Sequence, residues 1–128
     1  MTSTNPHKGR IGLDRLIHAA GYSVEGLQSA YRHESAFRQE TWLAVVALPL
    51  AFVVGRGWIE VALLAGSIIM LMVVELLNSS IEATVDRIGL ELHDLAKRAK
   101  DMGSAAVLLA SLLTAGLWAT AAWQHWLV

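Results

Sequence analysis

The sequence predicts an all-α membrane protein with three transmembrane helices behind an N-terminal amphipathic surface helix. Three observations predict it. Hydrophobic residues make up 55% of the chain and charged residues only 16%, a balance more apolar than soluble domains carry. The run "GSAAVLLASLLTAGLWATAAW", residues 103–123, contains no charge, and about 20 mainly apolar residues suffice to cross a bilayer. Finally, the apolar residues at 13, 16, 17, 20, 24, 27 and 31 recur at helical spacing, with Arg15, His18, Glu25 and Arg32 largely on the other side.

With 128 residues the chain is long enough for one domain. Residues 1–10, "MTSTNPHKGR", read as a flexible polar tail that leads into no signal-peptide core. Residues 11–128 read as a single membrane domain. Its first helix, about 11–33, either lies on the membrane surface or packs on the bundle, and "AAGYS" is a candidate interruption within it. The first span, about 36–55, is the least apolar and contains Pro49, which membrane helices tolerate as a kink. The second, about 61–86, is free of charge from Val61 to Val74. The third is expected over about 101–125. There are no cysteines, which excludes disulfides, thiolate nucleophiles and Cys-ligated metals.

Basic residues set the orientation. Lys8, Arg10, Arg15, Arg32 and Arg38 precede the first span, and Arg87, Lys97, Arg98 and Lys100 lie between the second and third. Only Arg56 lies between the first and second. The N-terminus and the 86–101 segment are therefore expected in the cytoplasm. Trp42, Trp58, Trp123 and Trp126 suit the interfaces.

The stretch "VELLNSSIEATVD", 74–86, places Glu75, Asn78, Glu82 and Asp86 at spacings of 3, 4 and 4. On a helix these fall within an arc of about 80° and form one stripe. Glu75 lies inside the expected hydrocarbon boundary, with Glu82 and Asp86 at or beyond it. A carboxylate at that depth is costly and points to function; the plainer alternatives are a bundle-holding hydrogen bond or a snorkelling boundary group. Two more polar clusters reach the same membrane face. "HESAFRQE", 33–40, supplies Glu34, Arg38 and Gln39, and "KRAKDMGS", 97–104, supplies Lys100 and Asp101. Carboxylates beside Lys and Arg suit Mg²⁺ with a polyphosphate, because Mg²⁺ takes hard oxygen ligands and shares them with phosphate. The histidines, at 7, 18, 33, 93 and 125, form no HxxxH pair, so zinc is not expected. Neither GxxxxGK[ST] nor GxGxxG in a βαβ unit occurs, so ATP binding would need no soluble nucleotide fold. No nucleic-acid partner is expected.

"HAAGYS" (18–23), "ESAFRQE" (34–40), "VELLNSSIEATVDRIG" (74–89) and "RAKDMGSAAVLL" (98–109) resemble the prokaryotic integral-membrane diacylglycerol kinases. The similarity runs from about Arg15 to the end of the third span, and the motif from Glu75 to Arg87 is specific. The resemblance implies a homotrimer in the bacterial inner membrane with its active site on the cytoplasmic side. It implies transfer of the γ-phosphoryl of MgATP to the primary hydroxyl of diacylglycerol, giving phosphatidic acid. It makes Glu75 the general base and Glu34 and Glu82 the Mg²⁺ ligands. Asn78 and Lys100 would position the lipid hydroxyl and phosphates, with Arg38 and Ser104 on the lipid side. Arg15, Ala19, Tyr22, Asp86 and Asp101 would serve the nucleotide. Lys97, where glycine is familiar, and Thr84 depart from the family pattern, and Lys97 could alter phosphate contacts. Three helices of one subunit do not enclose a site, and Gly103, Ser104, Ala105, Ala106 and Ala110 offer close packing in an oligomer, so a site shared between subunits is open.

Three other readings remain, the last a purely structural or assembly subunit, which the clustering of acidic and basic groups at the cytoplasmic face argues against. An undecaprenol kinase of the same family would keep the chemistry and change the lipid; "AAGYS" and "AKDMGSAAV" follow the Gram-negative diacylglycerol pattern. A small transporter or channel subunit would line an ion path with the stripe, but residues 61–74 continue it only with Ser67.

Overall fold

The computed structural model describes Gly9 and residues 11–128. The expected tail lies outside the described residues apart from Gly9. Four helices follow in order: α1 (Gly12–His33), α2 (Ser35–Val54), α3 (Trp58–Ile88) and α4 (Asp94–Leu127). The last three are long and apolar enough to cross a membrane.

α1 is continuous through "AAGYS". A glycine inside a helix costs about 1 kcal/mol relative to alanine, and the good helix formers around Gly21 outweigh one such loss. Only Ala30 of this helix is buried, while Leu13, Leu16, Ile17, Val24 and Leu27 are exposed. The described residues therefore leave the apolar face of α1 uncovered.

One residue separates α1 from α2. Glu34 is extended, at φ −110° and ψ 110°, and its N–H still donates to the Ala30 carbonyl at 2.8 Å. Arg38 fixes this elbow. Its Nη1 donates to the carbonyls of Tyr31 at 2.8 Å and Arg32 at 3.3 Å, and its guanidinium stands 6.0 Å from the Tyr31 ring centre. These carbonyls belong to the last turn of α1, where no helical N–H remains to satisfy them.

α2 carries Ala44, Ala47 and Ala51 on its buried side. Their small size lets α2 come close to α3, where Leu64 and Ile68 fill the space. Trp118 of α4 packs against both resulting clusters. Pro49 lies within the unbroken α2. The turn to α3 is tight: a Cβ on Gly55 would lie 2.7 Å from Val61 Cγ2 and 2.9 Å from the Ala51 carbonyl oxygen. Any side chain there would push the start of α3 away. Glu60 then accepts the Arg56 N–H at 2.9 Å, which closes the turn at the end opposite the acidic stripe.

α3 and α4 pack along much of their length. Thr114 Oγ1 ties them by donating to the Ser67 carbonyl at 3.2 Å, while also facing the Ala110 carbonyl at 2.8 Å. α4 starts earlier than the apolar run requires, because His93 Nδ1 accepts the Leu95 N–H at 3.1 Å and caps its first turn. α3 likewise continues past the apolar run to Ile88. Backbone hydrogen bonding extends both helices through polar sequence that hydropathy alone leaves out.

Many large apolar side chains of the three long helices face outward, among them Val45, Val46, Leu63, Ile69, Leu109 and Leu112. In water such a surface would aggregate. Against lipid tails, or against further copies of the chain, it is stable.

Candidate functional site

The up–down–up path of α2, α3 and α4 brings the start of α2, the C-terminal half of α3 and the start of α4 to one end of the bundle. α3 has 31 residues, about 46 Å of helix, against a hydrocarbon thickness of about 30 Å. With Trp58 at one boundary, about 20 residues bring the chain to Asn78 at the other. Glu75 then falls just inside the apolar layer and Glu82 and Asp86 outside it.

Burial grades along the stripe in the same direction. Glu75 is 5% exposed, Asn78 and Glu82 are half-buried, and Asp86 is exposed. Glu75 lies within electrostatic reach of Glu82 and Glu34, and Glu40 lies within reach of Glu75. Four carboxylates from α3 and from the α1–α2 elbow and α2 thus converge within one chain. Like charges at such a site repel, and a cation or a proton in transit relieves the repulsion.

Glu40 is the member that reading the sequence does not single out. Its Oε2 is buried without a hydrogen-bond partner among the described residues. The available signal was an acidic group at the entry of an apolar helix, six residues after Glu34, with the span continuing beyond it. Its importance comes from packing opposite Glu75, which α2 alone does not reveal. Asn78 Oδ1 and Ser79 Oγ are likewise buried and unpartnered among the described residues, as is Trp118 Nε1, which lies farther along the bundle in the apolar core. Buried polar atoms are usually satisfied, so polar groups left open beside a carboxylate cluster mark a place for a ligand.

The lower end of the stripe meets α4. Lys100 Nζ donates to Asp86 Oδ1 at 2.6 Å across 14 residues of chain. One turn earlier on α4, Lys97 pairs with Asp101. Both pairs are substantially exposed, where ion pairs contribute little stability and exchange readily for other anions. A cleft of about 530 Å³ lies beside them, lined by Asp86, His93, Lys97, Lys100 and Asp101.

α1 approaches the site through a second cleft of about 510 Å³, where Gly26, Ser29, His33 and Glu34 face Ser79 and Ser80. Arg15, Ala19 and Tyr22 lie on the same face of α1 by their spacing. Arg15 is nevertheless about 28 Å along the helix from Glu34. One chain therefore does not bring Arg15 to the carboxylates, whereas it does bring Glu34. Tyr22 is half-buried, and Arg15 and Ala19 are exposed. Arg38 is engaged at the elbow, as described above. Ser104 is exposed on α4, next to the buried Gly103.

A third cleft, of about 600 Å³, opens between α2, α3 and α4. Gln39 and Glu40 line its acidic end, and Leu43, Val46, Leu50 and Ile68 line much of the remainder, with Ser111, Thr114 and Trp118 on the α4 side. It joins a polar mouth to an apolar trough running into the membrane layer.

Among the described residues, no group of three or more His, Cys, Asp or Glu is arranged to hold a metal by itself. Glu34 and Glu82 remain a pair of hard oxygen donors near Glu75. A pair is what Mg²⁺ uses when water and substrate phosphate supply its other ligands.

Residues 21–122 match the family described as prokaryotic diacylglycerol kinase. A protein named diacylglycerol kinase from Pseudomonas aeruginosa is 51% identical over 120 residues, 92% of this chain and 96% of that one. Its counterpart in Escherichia coli is 48% identical over 114 residues, covering 89% and 93%. One from Haemophilus influenzae is 47% identical over 107 residues, covering 84% and 91%.

Proposed function

Since this chain belongs to the prokaryotic diacylglycerol kinase family, we propose that it transfers the γ-phosphoryl group of ATP to the primary hydroxyl of diacylglycerol. The products are phosphatidic acid and ADP. The observation that carries this reading is Glu75, a buried carboxylate just inside the apolar layer with three further carboxylates in reach.

A lipid hydroxyl sits at headgroup depth and ATP comes from water, so the site must join two layers. The stripe on α3 does so over seven residues, about 10 Å from Glu75 to Glu82. Glu75 accepts the hydroxyl proton as the lipid oxygen attacks phosphorus in line and the bond to the ADP oxygen breaks. Asn78, one turn away, orients the hydroxyl and the transferring group. Lys100 turns from Asp86 to the phosphates, and this costs little because that pair is half exposed to water. Glu34 and Glu82 would hold Mg²⁺, which supplies charge neutralisation on the phosphates. Asp86 and Asp101 then lie at the rim of the nucleotide cleft, where each gives up a lysine to the triphosphate. Arg38 keeps Glu34 in place through the elbow, and the family resemblance assigns Arg38 and Ser104 to the lipid side. The trough below Glu40 suits an acyl chain.

The same reading includes a homotrimer in the bacterial inner membrane, with the N-terminus and site in the cytoplasm. The bias of Lys and Arg toward that end of the bundle supports the orientation. The exposed apolar face of α1 and the distance of Arg15 from Glu34 support an assembly in which Arg15, Ala19 and Tyr22 serve the nucleotide from a neighbouring copy. Residues 11–128 then act as one catalytic membrane domain.

The three relatives compared above are all named diacylglycerol kinase, which favours diacylglycerol over undecaprenol. An ion path is disfavoured by Ser67, the one polar group between Val61 and Val74, whose hydroxyl is spent on the Leu64 carbonyl at 2.7 Å. Purified protein given labelled MgATP and an equimolar mixture of diacylglycerol and undecaprenol is expected to label diacylglycerol predominantly. Predominant labelling of undecaprenol would transfer the protein to the other lipid class, and label in neither would end the kinase reading.

A further inference from the structure

Gly103 is buried on α4 directly opposite Asn78. A Cβ built there would lie 2.2 Å from Asn78 Oδ1 and 3.3 Å from Asn78 Cγ. Carbon and oxygen do not approach so closely without a bond, so a side chain at 103 and the present position of the amide exclude one another. The Cα hydrogen standing in the side-chain direction faces Oδ1 instead. A weak C–H···O contact is the interaction open to that acceptor, which has no hydrogen-bond partner among the described residues.

This requirement is local. Gly66 on α3 and Gly116 on α4 are exposed, with open space where a Cβ would stand, so of the three glycines inside these two helices only Gly103 meets a side chain of the facing helix. Nor is the clash with the backbone: the nearest Asn78 main-chain atom is 3.9 Å away, an ordinary contact. A methyl group at 103 could be accommodated by swinging the amide aside while the helices stay in place. The consequence would fall on the reaction and not on the fold.

We infer that Gly103 is a positioning residue for phosphoryl transfer, its missing side chain being what lets the Asn78 amide stand between Glu75 and Glu82. Asn78 is one turn from each, so displacing its amide alters the space between the proton acceptor and the metal ligand. The inference rests on the reading of Asn78 as the group that orients the lipid hydroxyl and phosphates.

The test is a cycle of four proteins in mixed micelles: wild type, Asn78→Ala, Gly103→Ala and the double variant. A displacement on the order of 1 Å can cost about a hundredfold in rate, so Gly103→Ala is expected to lower kcat about tenfold to a hundredfold. The KM for MgATP should change much less than kcat, because the displaced amide acts on the transferring group while the side chains of Lys100, Asp86 and Asp101 are unchanged. In the Asn78→Ala background the amide is gone, and adding Gly103→Ala should change the residual rate by less than about twofold, the mark of two residues acting through one contact. Losses that multiply would overturn the inference and make Gly103 a packing residue, as would Gly103→Ala with wild-type kcat. Asn78→Ala with wild-type kcat would overturn the role of Asn78 itself, and the inference with it. Should Gly103→Ala fail to accumulate in the membrane, the double variant decides. Its recovery to the level of Asn78→Ala supports the steric seat, and its failure overturns it.

Discussion

Glu75→Gln is expected to lower kcat by about 10²- to 10⁴-fold, the usual contribution of a positioned general base. That corresponds to about 3–5 kcal/mol of transition-state stabilisation. The substitution keeps the shape of the side chain and removes its charge and its ability to take a proton. Glu75 is 5% exposed and lies among other carboxylates, so neutralising it relieves repulsion and leaves the fold intact. Assays in detergent micelles with saturating lipid and MgATP should therefore show a collapse in kcat with thermal stability equal to or above that of the wild type. A variant with near wild-type kcat would remove Glu75 from proton transfer.

The second large effect is expected at Glu82. Glu82→Ala removes one of two proposed carboxylate ligands of Mg²⁺, leaving Glu34 with water and phosphate. Two-carboxylate Mg²⁺ sites depend heavily on each protein ligand, and kcat/KM for MgATP is expected to fall about a hundredfold, or about 2.7 kcal/mol. Raising free Mg²⁺ should recover part of the loss, because mass action refills a weakened site. The lipid KM should move much less, since Glu82 lies about 10 Å from Glu75 on the aqueous side. Loss confined to the lipid KM would contradict its place as a metal ligand. Glu75→Gln and Glu82→Ala thus separate along the stripe: one loses turnover at full Mg²⁺, the other loses it in a Mg²⁺-dependent way.

Much of this was legible in the sequence, for physical reasons that can be named. A charge-free run of apolar residues has few alternatives to a membrane helix, so the third span follows directly, whereas the second requires Glu75 inside it and the first is marginal by apolar length. The ends of the spans do not follow, because a helix continues wherever backbone hydrogen bonds and a cap such as His93 carry it. The stripe from Glu75 to Asp86 was readable because helical periodicity alone aligns spacings of 3, 4 and 4. The contact between Lys100 and Asp86 was not, since it depends on the length of the α3–α4 connection and on how the two helices rotate. Glu40 was hidden for a similar reason: its carboxylate gains meaning only from α3 lying opposite. In the sequence Gly103 is one small residue among several, and only the packing that buries it against the Asn78 amide distinguishes it from the exposed Gly116. Local order fixes which residues share a helix face, whereas packing fixes which faces meet.

The elbow illustrates a residue with more than one task. The family resemblance assigns Arg38 to the lipid side of the site. Its hydrogen bonds to the Tyr31 and Arg32 carbonyls hold the angle between α1 and α2, and with it the place of Glu34. Its effect on catalysis is therefore expected to pass partly through the position of that carboxylate.

The central claim is that Glu75 stands where a membrane-buried hydroxyl meets a phosphoryl group delivered from water. The most direct measurement follows a single turnover of γ-labelled MgATP with a soluble short-chain diacylglycerol and counts both products. One labelled phosphatidic acid is expected for each ADP formed, with negligible free labelled phosphate. ADP accompanied by free phosphate and no labelled lipid would contradict it.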